Sequence, residues 1–141
     1  MTQSSLLRYL IPAMLVVAGM VHLLPLSGVL GSDRLASLYG VSFSEANLAI
    51  LMRHRAVLFG LLGVFLILAA LRPMLRTVAF LAGLTSVVSF IWIAAAVGNY
   101  NEQIRRVVTA DVIAFVCLII GFAGHLYVQN RSVTKRGPDA L

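Results

Sequence analysis

The sequence predicts an all-α integral membrane protein: an antiparallel four-helix bundle with a short interfacial helix between spans one and two. Of its 141 residues, 60% are hydrophobic and 11% are charged, and the mean hydropathy is +0.97. The apolar runs are about twice the length of a barrel strand, which needs roughly 9–11 residues. A backbone in hydrocarbon must satisfy its own hydrogen bonds. Helices are therefore the spanning structure that these runs favour.

Four apolar runs define the spans of one transmembrane domain over residues 1–130. The first covers about 9–30 and contains Pro25, which is expected to kink the helix or to loosen its outer end. Short connections make consecutive spans antiparallel neighbours, with both termini on one side of the membrane. The remaining spans cover about 48–71, 77–98 and 107–128, and a polar tail follows at 131–141.

The longest connection, residues 31–47, contains signals for a short helix. Ser32 is a predicted N-cap and Gly40 a predicted helix end. The run 42–45 matches a capping box, which predicts that the next helix begins by residue 45. The short helix would lie at the membrane interface and place three side chains on one face: Leu35, Leu38 and Tyr39.

The net charge of +6 does not indicate a nucleic-acid partner, because the basic residues lie at the ends of the apolar runs. There they anchor the chain to lipid headgroups, so the expected partner is the lipid bilayer. The single cysteine, Cys117, lies within the last run. One cysteine cannot form an intrachain disulfide or a CxxC motif.

The distribution of basic residues predicts the orientation. Six lie on the side of the termini and five on the opposite side, and the second group differs in being mixed with four acidic residues that offer it partners. We therefore expect both termini in the cytoplasm. The terminal side carries Arg8, Arg72, Arg76, Arg131, Lys135 and Arg136, and the opposite side carries Arg34, Arg53, Arg55, Arg105 and Arg106 with Asp33, Glu45, Glu102 and Asp111.

Asp111 is a candidate functional residue, since a carboxylate inside an apolar run is costly and faces a partner or a wet cavity. It lies roughly 6 Å into the fourth span, and we expect an ion pair with Arg53 or Arg55. These two arginines differ by about 200° around a helix, so one faces the core while the other extends to headgroups. Two interpretations are open: the pair fastens two spans together, or a remaining arginine binds a carboxylate or phosphate.

His22 is the second candidate, at a depth of about 12 Å. With Asp111 it would act as acid or base if the protein is an enzyme; alternatively, a carbonyl freed by Pro25 satisfies it. His125 lies too far from the other histidines for joint coordination, and no metal or cofactor is expected. The predicted ligand-binding residues are Arg53, His54, Arg55, Trp92, Tyr100 and Arg106; interfacial hydrogen bonding or anchoring is the alternative role of His54 and Trp92.

These residues predict an elongated apolar cavity near Arg53, His54 and Asp111, on the side opposite the termini. In one function, this cavity binds an amphipathic or lipid-like, anionic molecule. In the other, the protein is a membrane-embedded enzyme that acts on a lipophilic substrate. A homo-oligomer and a membrane partner protein are both open possibilities. The sequence lacks the internal repeat that an alternating-access transporter normally uses.

The run Leu38-Tyr39-Gly40-Val41, followed by a second span that carries Arg53 and Arg55 and then Gly60 and Gly63, resembles the DoxX-like superfamily. Members of this group are small four-span bacterial proteins. The resemblance implies a four-helix bundle in the bacterial inner membrane, and a role as an accessory subunit, as in some members of the group.

Overall fold

A computed structural model describes residues 2–42 and 44–134 of the chain, and these residues form an all-α bundle, as predicted. Four helical stretches among them are long and apolar enough to cross a membrane, which makes the chain a multi-pass membrane protein. The helices are α1 (Thr2–Leu23), α2 (Ser32–Tyr39), α3 (Ala46–Leu71), α4 (Arg76–Val97) and α5 (Glu102–Thr134), with 3₁₀ segments at Leu24–Leu30 and Pro73–Leu75.

The four long helices are arranged in a ring. Helix α1 lies between α3 and α5, and α4 packs against both of these helices on the far side. One end of the bundle carries the start of α1, the 3₁₀ turn Pro73–Leu75 and the end of α5; we call it the terminal end. The opposite end carries α2 and the α4–α5 connection, and we call it the α2 end.

The first span changes helix type near Pro25. Helix α1 is α-helical up to Leu23, and the chain continues as a 3₁₀ helix over Leu24–Leu30. Proline lacks the N–H that would donate to the carbonyl four residues earlier, so the α-helical hydrogen bonding stops here. The predicted loosening of the outer end is confirmed, and it ends the α-helical part of α1 before the α2 end of the bundle.

Helix α2 ends as predicted, but the predicted N-cap Ser32 is wrong, since Ser32 is the first helical residue and Gly31 is the N-cap, without a side-chain hydrogen bond. Gly40 has a left-handed backbone (φ 66°), and its N–H donates to the carbonyl of Ala36 at 2.8 Å. Helix α3 is also capped differently. The predicted capping box is wrong in its N-cap: Glu45 caps α3 by accepting hydrogen bonds from the N–H groups of Asn47 and Leu48, at 3.0 and 2.8 Å. Helix α3 thus starts one residue later than predicted.

Helix α5 is longer than the predicted fourth span. The side chain of Asn101 accepts a hydrogen bond from the N–H of Ile104 at 2.9 Å, so the helix begins at Glu102 rather than near residue 107. It continues to Thr134, which turns the first four residues of the predicted polar tail into helix. The rest of that tail lies outside the described residues.

An apolar core fills the bundle between α2 and the terminal end. Helices α1 and α3 lie close together where Gly19 faces Gly63: a Cβ on Gly63 would lie 2.8 Å from the carbonyl oxygen of Gly19. Small residues permit such close contact of helix backbones within a membrane. The fully buried core residues are Leu15, Ala18, Leu66, Ala69, Ala79, Phe80, Val87, Ala114 and Leu118.

Polar groups in this core have partners on neighbouring elements. The guanidinium of Arg76 donates to the carbonyls of Ala69 and Ala70, at 3.4 and 3.0 Å, and thereby satisfies the last turn of α3. The imidazole of His125 and the hydroxyl of Thr77 are hydrogen-bonded at 3.0 Å between α5 and α4. These contacts give the polar side chains of this part of the spans hydrogen-bond partners within the protein.

Candidate functional site

A cavity of about 250 Å³ lies at the α2 end of the bundle. It is present because α1 stops being α-helical at Leu23, which leaves space between α3 and α5. Helix α2 lies across this space as a roof. The cavity is lined by Val21, Leu24, Pro25, Ser37, Leu38, Tyr39, Arg55, Phe59, Gln103, Arg106, Val107, Ala110 and Asp111.

Arg55 is the cationic residue held inside this site. Its guanidinium carbon lies 5.1 Å from the ring centres of Phe59 and Phe90 and 5.8 Å from that of Tyr39. Such contacts stabilise a cation by about 0.5–2 kcal/mol each, most strongly where water is excluded. The three rings come from α2, α3 and α4, so they fix the arginine without neutralising its charge.

Asp111 lines the same cavity and is only 5% exposed. The predicted ion pair with Arg53 or Arg55 is wrong: within the described residues, neither guanidinium comes within 4.0 Å of the carboxylate. Arg55 and Asp111 each lie nine residues from the start of their helix, a distance of roughly 13 Å along the helix axis. The two side chains interact electrostatically with each other across the cavity, without direct contact.

Arg106 and Gln103 lie one or two turns closer to the start of α5 and form the rim of the cavity. Arg106 pairs loosely with Glu102 at 3.9 Å, while Arg105 approaches the same carboxylate at 3.5 Å. All three side chains are more than half exposed, so these pairs contribute little to stability. Arg106 is therefore available to a molecule that enters the cavity.

Tyr39 and Asn101 hold the roof in place. Tyr39 is 4% exposed and packs with Leu35 against α5. Burial raises the pKa of the Tyr39 phenol, an effect that Arg55 opposes and Asp111 reinforces, so the phenol stays protonated at neutral pH. The Asn101 amide donates to the carbonyls of Tyr39 and Gly40, at 2.8 and 3.3 Å, and so ties the end of α2 to the start of α5.

His22, the predicted acid or base, does not line the cavity. It is 1% exposed and stacks on Phe59, with ring centres 5.7 Å apart, so Phe59 separates it from the open space. Its Nδ1 donates to the carbonyl of Ala18 at 2.8 Å. In the neutral ring Nε2 then accepts from the hydroxyl of Ser86 at 3.3 Å. The carbonyl is that of Ala18 rather than the one freed by Pro25, which belongs to Val21.

The six predicted ligand-binding residues separate into two groups. Arg55 and Arg106 line the cavity. Arg53 and His54 are exposed and lie outside the cavity, so of the three residues around which it was predicted only Asp111 lines it. Trp92 is 75% exposed on α4, and Tyr100 lines a shallow depression at the α4–α5 connection.

Phe59, Phe90 and Asn101 belong to the site but were not among the residues that the sequence predicted. Phe59 lies one turn after Arg55, as one of many apolar residues in α3, and its sequence context does not set it apart. Asn101 did carry a signal, since Asn followed by an acidic residue is typical of a helix N-cap. Its second role, as a tie to α2, depends on the three-dimensional arrangement.

The described residues contain no group of three or more His, Cys, Asp or Glu side chains placed to hold a metal ion. None of the family models, curated proteins or solved structures compared with this chain matches it. Functional inference therefore depends on the cavity itself.

Proposed function

We propose that this protein binds an anionic, amphipathic, lipid-like molecule whose polar end lies against Arg55 in the cavity. The observation that carries this proposal is the environment of Arg55. Its guanidinium is enclosed by three rings, faces a cavity, and has no carboxylate within 4.0 Å among the described residues. A guanidinium presents paired N–H donors that match a carboxylate or phosphate.

The size of the cavity supports partial enclosure of the ligand. The volume of the cavity is about 250 Å³. It is below the range of about 300–1,000 Å³ that encloses a drug-sized ligand. A polar end with a short adjoining segment fits this space, whereas the remainder of a lipid must extend beyond it.

The lining indicates which way the apolar part extends. Val21, Leu24 and Pro25 line the cavity from the first span, and Val107 and Ala110 line it from α5. An acyl chain that lies against these residues would contact apolar side chains of both spans. The arrangement matches an amphipathic occupant better than a fully polar solute.

We propose that the protein is located in the bacterial inner membrane, with both termini in the cytoplasm and the cavity toward the non-cytoplasmic side. The support is the charge distribution: basic residues at the α2 end are accompanied by Asp33, Glu45, Glu102 and Asp111, whereas those at the terminal end have no acidic residue within the spans beside them. A role as an accessory subunit of a membrane complex, as implied by the DoxX-like resemblance, is part of the same proposal.

The alternative of an acid–base enzyme has less support. Phe59 separates His22 from the cavity, and the ring nitrogens of His22 are engaged by Ala18 and Ser86. A reaction in this cavity would have to rely on Asp111 without a histidine partner. Binding is therefore the function that we propose.

Arg55→Gln tests the proposal, with Arg53→Gln as a matched control that removes an exposed arginine from the same helix two residues away. Lipids that remain bound to each purified protein are measured by native mass spectrometry. We expect Arg55→Gln to lose at least tenfold in occupancy, because a charge-assisted hydrogen bond contributes about 1.5–3 kcal/mol. Arg53→Gln should retain the wild-type occupancy. Equal occupancy in the two variants would refute the proposal.

A further inference from the structure

Asp111 is a carboxylate that the binding of an anion to Arg55 does not explain. It is 5% exposed, lines the cavity, and accepts no hydrogen bond or ion pair of 4.0 Å or less from any described residue. Every fully enclosed side-chain oxygen or nitrogen in the described part of the chain has a partner. The carboxylate oxygens of Asp111 are therefore in contact with the open space of the cavity.

A carboxylate at this depth is costly unless a donor satisfies it. It also disfavours an occupant that presents only anionic oxygens, since like charges repel within a low dielectric. Arg55 lies across the same cavity and favours such oxygens. The two side chains thus select for a polar end with an acceptor on one side and a donor on the other.

We infer that the occupant's polar end carries a hydroxyl group that donates to Asp111, next to the oxyanion that Arg55 binds. A hydroxyl supplies the donor while the polar end keeps the net negative charge that suits Arg55. The ligand class is thus a hydroxyl-bearing anionic amphiphile, such as a phosphodiester with a glycerol head. This inference rests on the proposed function, because it assigns the second contact of the same bound molecule.

The test compares two synthetic lipids of equal charge in nanodiscs: phosphatidylglycerol, which has head-group hydroxyls, and phosphatidylmethanol, which has none. Native mass spectrometry gives the affinity of the wild-type protein for each. We expect phosphatidylglycerol to bind at least tenfold more tightly, since a hydrogen bond to a charged group contributes about 1.5–3 kcal/mol. Equal affinities in the wild-type protein would overturn the inference, and this comparison does not depend on any variant.

Asp111→Asn and Asp33→Asn provide the matched pair of variants, since Asp33 is an exposed carboxylate on α2 outside the cavity lining. The preference for phosphatidylglycerol should fall below about threefold in Asp111→Asn and stay at the wild-type value in Asp33→Asn. An unchanged preference in folded Asp111→Asn would also overturn the inference. Circular dichroism establishes that each variant is folded.

Arg55→Gln separates this inference from the proposed function. If the wild-type protein binds both lipids equally and Arg55→Gln loses both, the oxyanion site stands and the hydroxyl contact is wrong. If neither lipid binds the wild-type protein better than it binds Arg55→Gln, both proposals fail.

Free glycerol 3-phosphate and methyl phosphate identify the source of the polar end. Discrimination between these soluble compounds would show that the head alone is recognised. Discrimination restricted to the two lipids would show that a membrane lipid is the occupant.

Discussion

The two halves of the bundle differ in whether their buried polar side chains are hydrogen-bonded to neighbouring groups. In the terminal half, Arg76 donates to carbonyls of α3, and His125 is hydrogen-bonded to Thr77. In the α2 half, Arg55 and Asp111 face one cavity without direct contact. The polar residues named in the first half are explained by packing, whereas Arg55 and Asp111 are the residues for which we propose a bound molecule. The depth of a charged residue within a span therefore says less about function than the presence of partners around it.

The largest expected effect comes from truncating two aromatic residues. One truncation should mainly lower stability, and the other should mainly lower lipid binding. Phe80 is fully buried in the terminal half, so Phe80→Ala should lower the free energy of unfolding by about 3 kcal/mol through the void it leaves. Phe59→Ala should destabilise less, because Phe59 is only partly buried, but it should lower lipid occupancy by releasing Arg55. Thermal unfolding and native mass spectrometry measure the two effects. Equal losses of occupancy in both folded variants would erase the distinction between the halves.

A second prediction concerns the close contact of α1 and α3. Gly63→Leu should lower the free energy of unfolding by about 2–3 kcal/mol, because its Cβ would lie 2.8 Å from the Gly19 carbonyl oxygen and force the helices apart. The neighbouring Val64 is exposed toward lipid and serves as the control. Val64→Leu should change stability by less than about 0.5 kcal/mol. Similar melting temperatures for the two variants would contradict this close contact.

A third prediction separates the two roles of Asn101. Asn101→Ala removes the N-cap of α5 and the tie to α2, and should cost about 1–2 kcal/mol. Asn101→Asp keeps the oxygen that accepts from Ile104 but loses the amide that donates to Tyr39. It should therefore retain a stable α5 while hydrogen exchange at α2 becomes faster. Unchanged exchange at α2 in Asn101→Asp would show that the roof is held by apolar packing alone.

The smallest effect is expected at the start of α3. Glu45→Gln leaves one side-chain oxygen for the two N–H groups that Glu45 now satisfies, and should cost about 0.5–1 kcal/mol. Hydrogen exchange in the first turn of α3 measures this loss. Ser42→Ala is the control, since the Ser42 hydroxyl donates to Ser44 rather than to the helix. Faster exchange in Ser42→Ala than in Glu45→Gln would restore the predicted capping box.

The sequence was sufficient for the fold because hydrocarbon imposes a strong constraint: a long apolar run must form a helix that spans the membrane. Local signals also worked where the determinant is local, as at Pro25 and Gly40. Helix ends were less accurate, since the caps at Glu45 and Asn101 extended or shifted two helices relative to their apolar segments.

The site was predicted only in part because the rotation of each helix depends on its neighbours. Periodicity indicated that Arg53 and Arg55 point in different directions, but not which one faces inward. The backbone contact of Gly63 with Gly19 and the packing of Phe59 on His22 fix that rotation, and they place Arg55 in the cavity. Such contacts join residues that are far apart in the chain.

Photo-crosslinking tests directly whether an anionic lipid occupies the cavity with its head against Arg55. Phosphatidylglycerol with a diazirine next to its head is incorporated into nanodiscs with the protein, and the labelled peptides are mapped by mass spectrometry. We expect the label to concentrate on the cavity lining at 21–25 and 107–111 and to decrease in Arg55→Gln. Label that is confined to lipid-facing surfaces, such as that around Trp92, and is unaffected by Arg55→Gln would contradict this expectation.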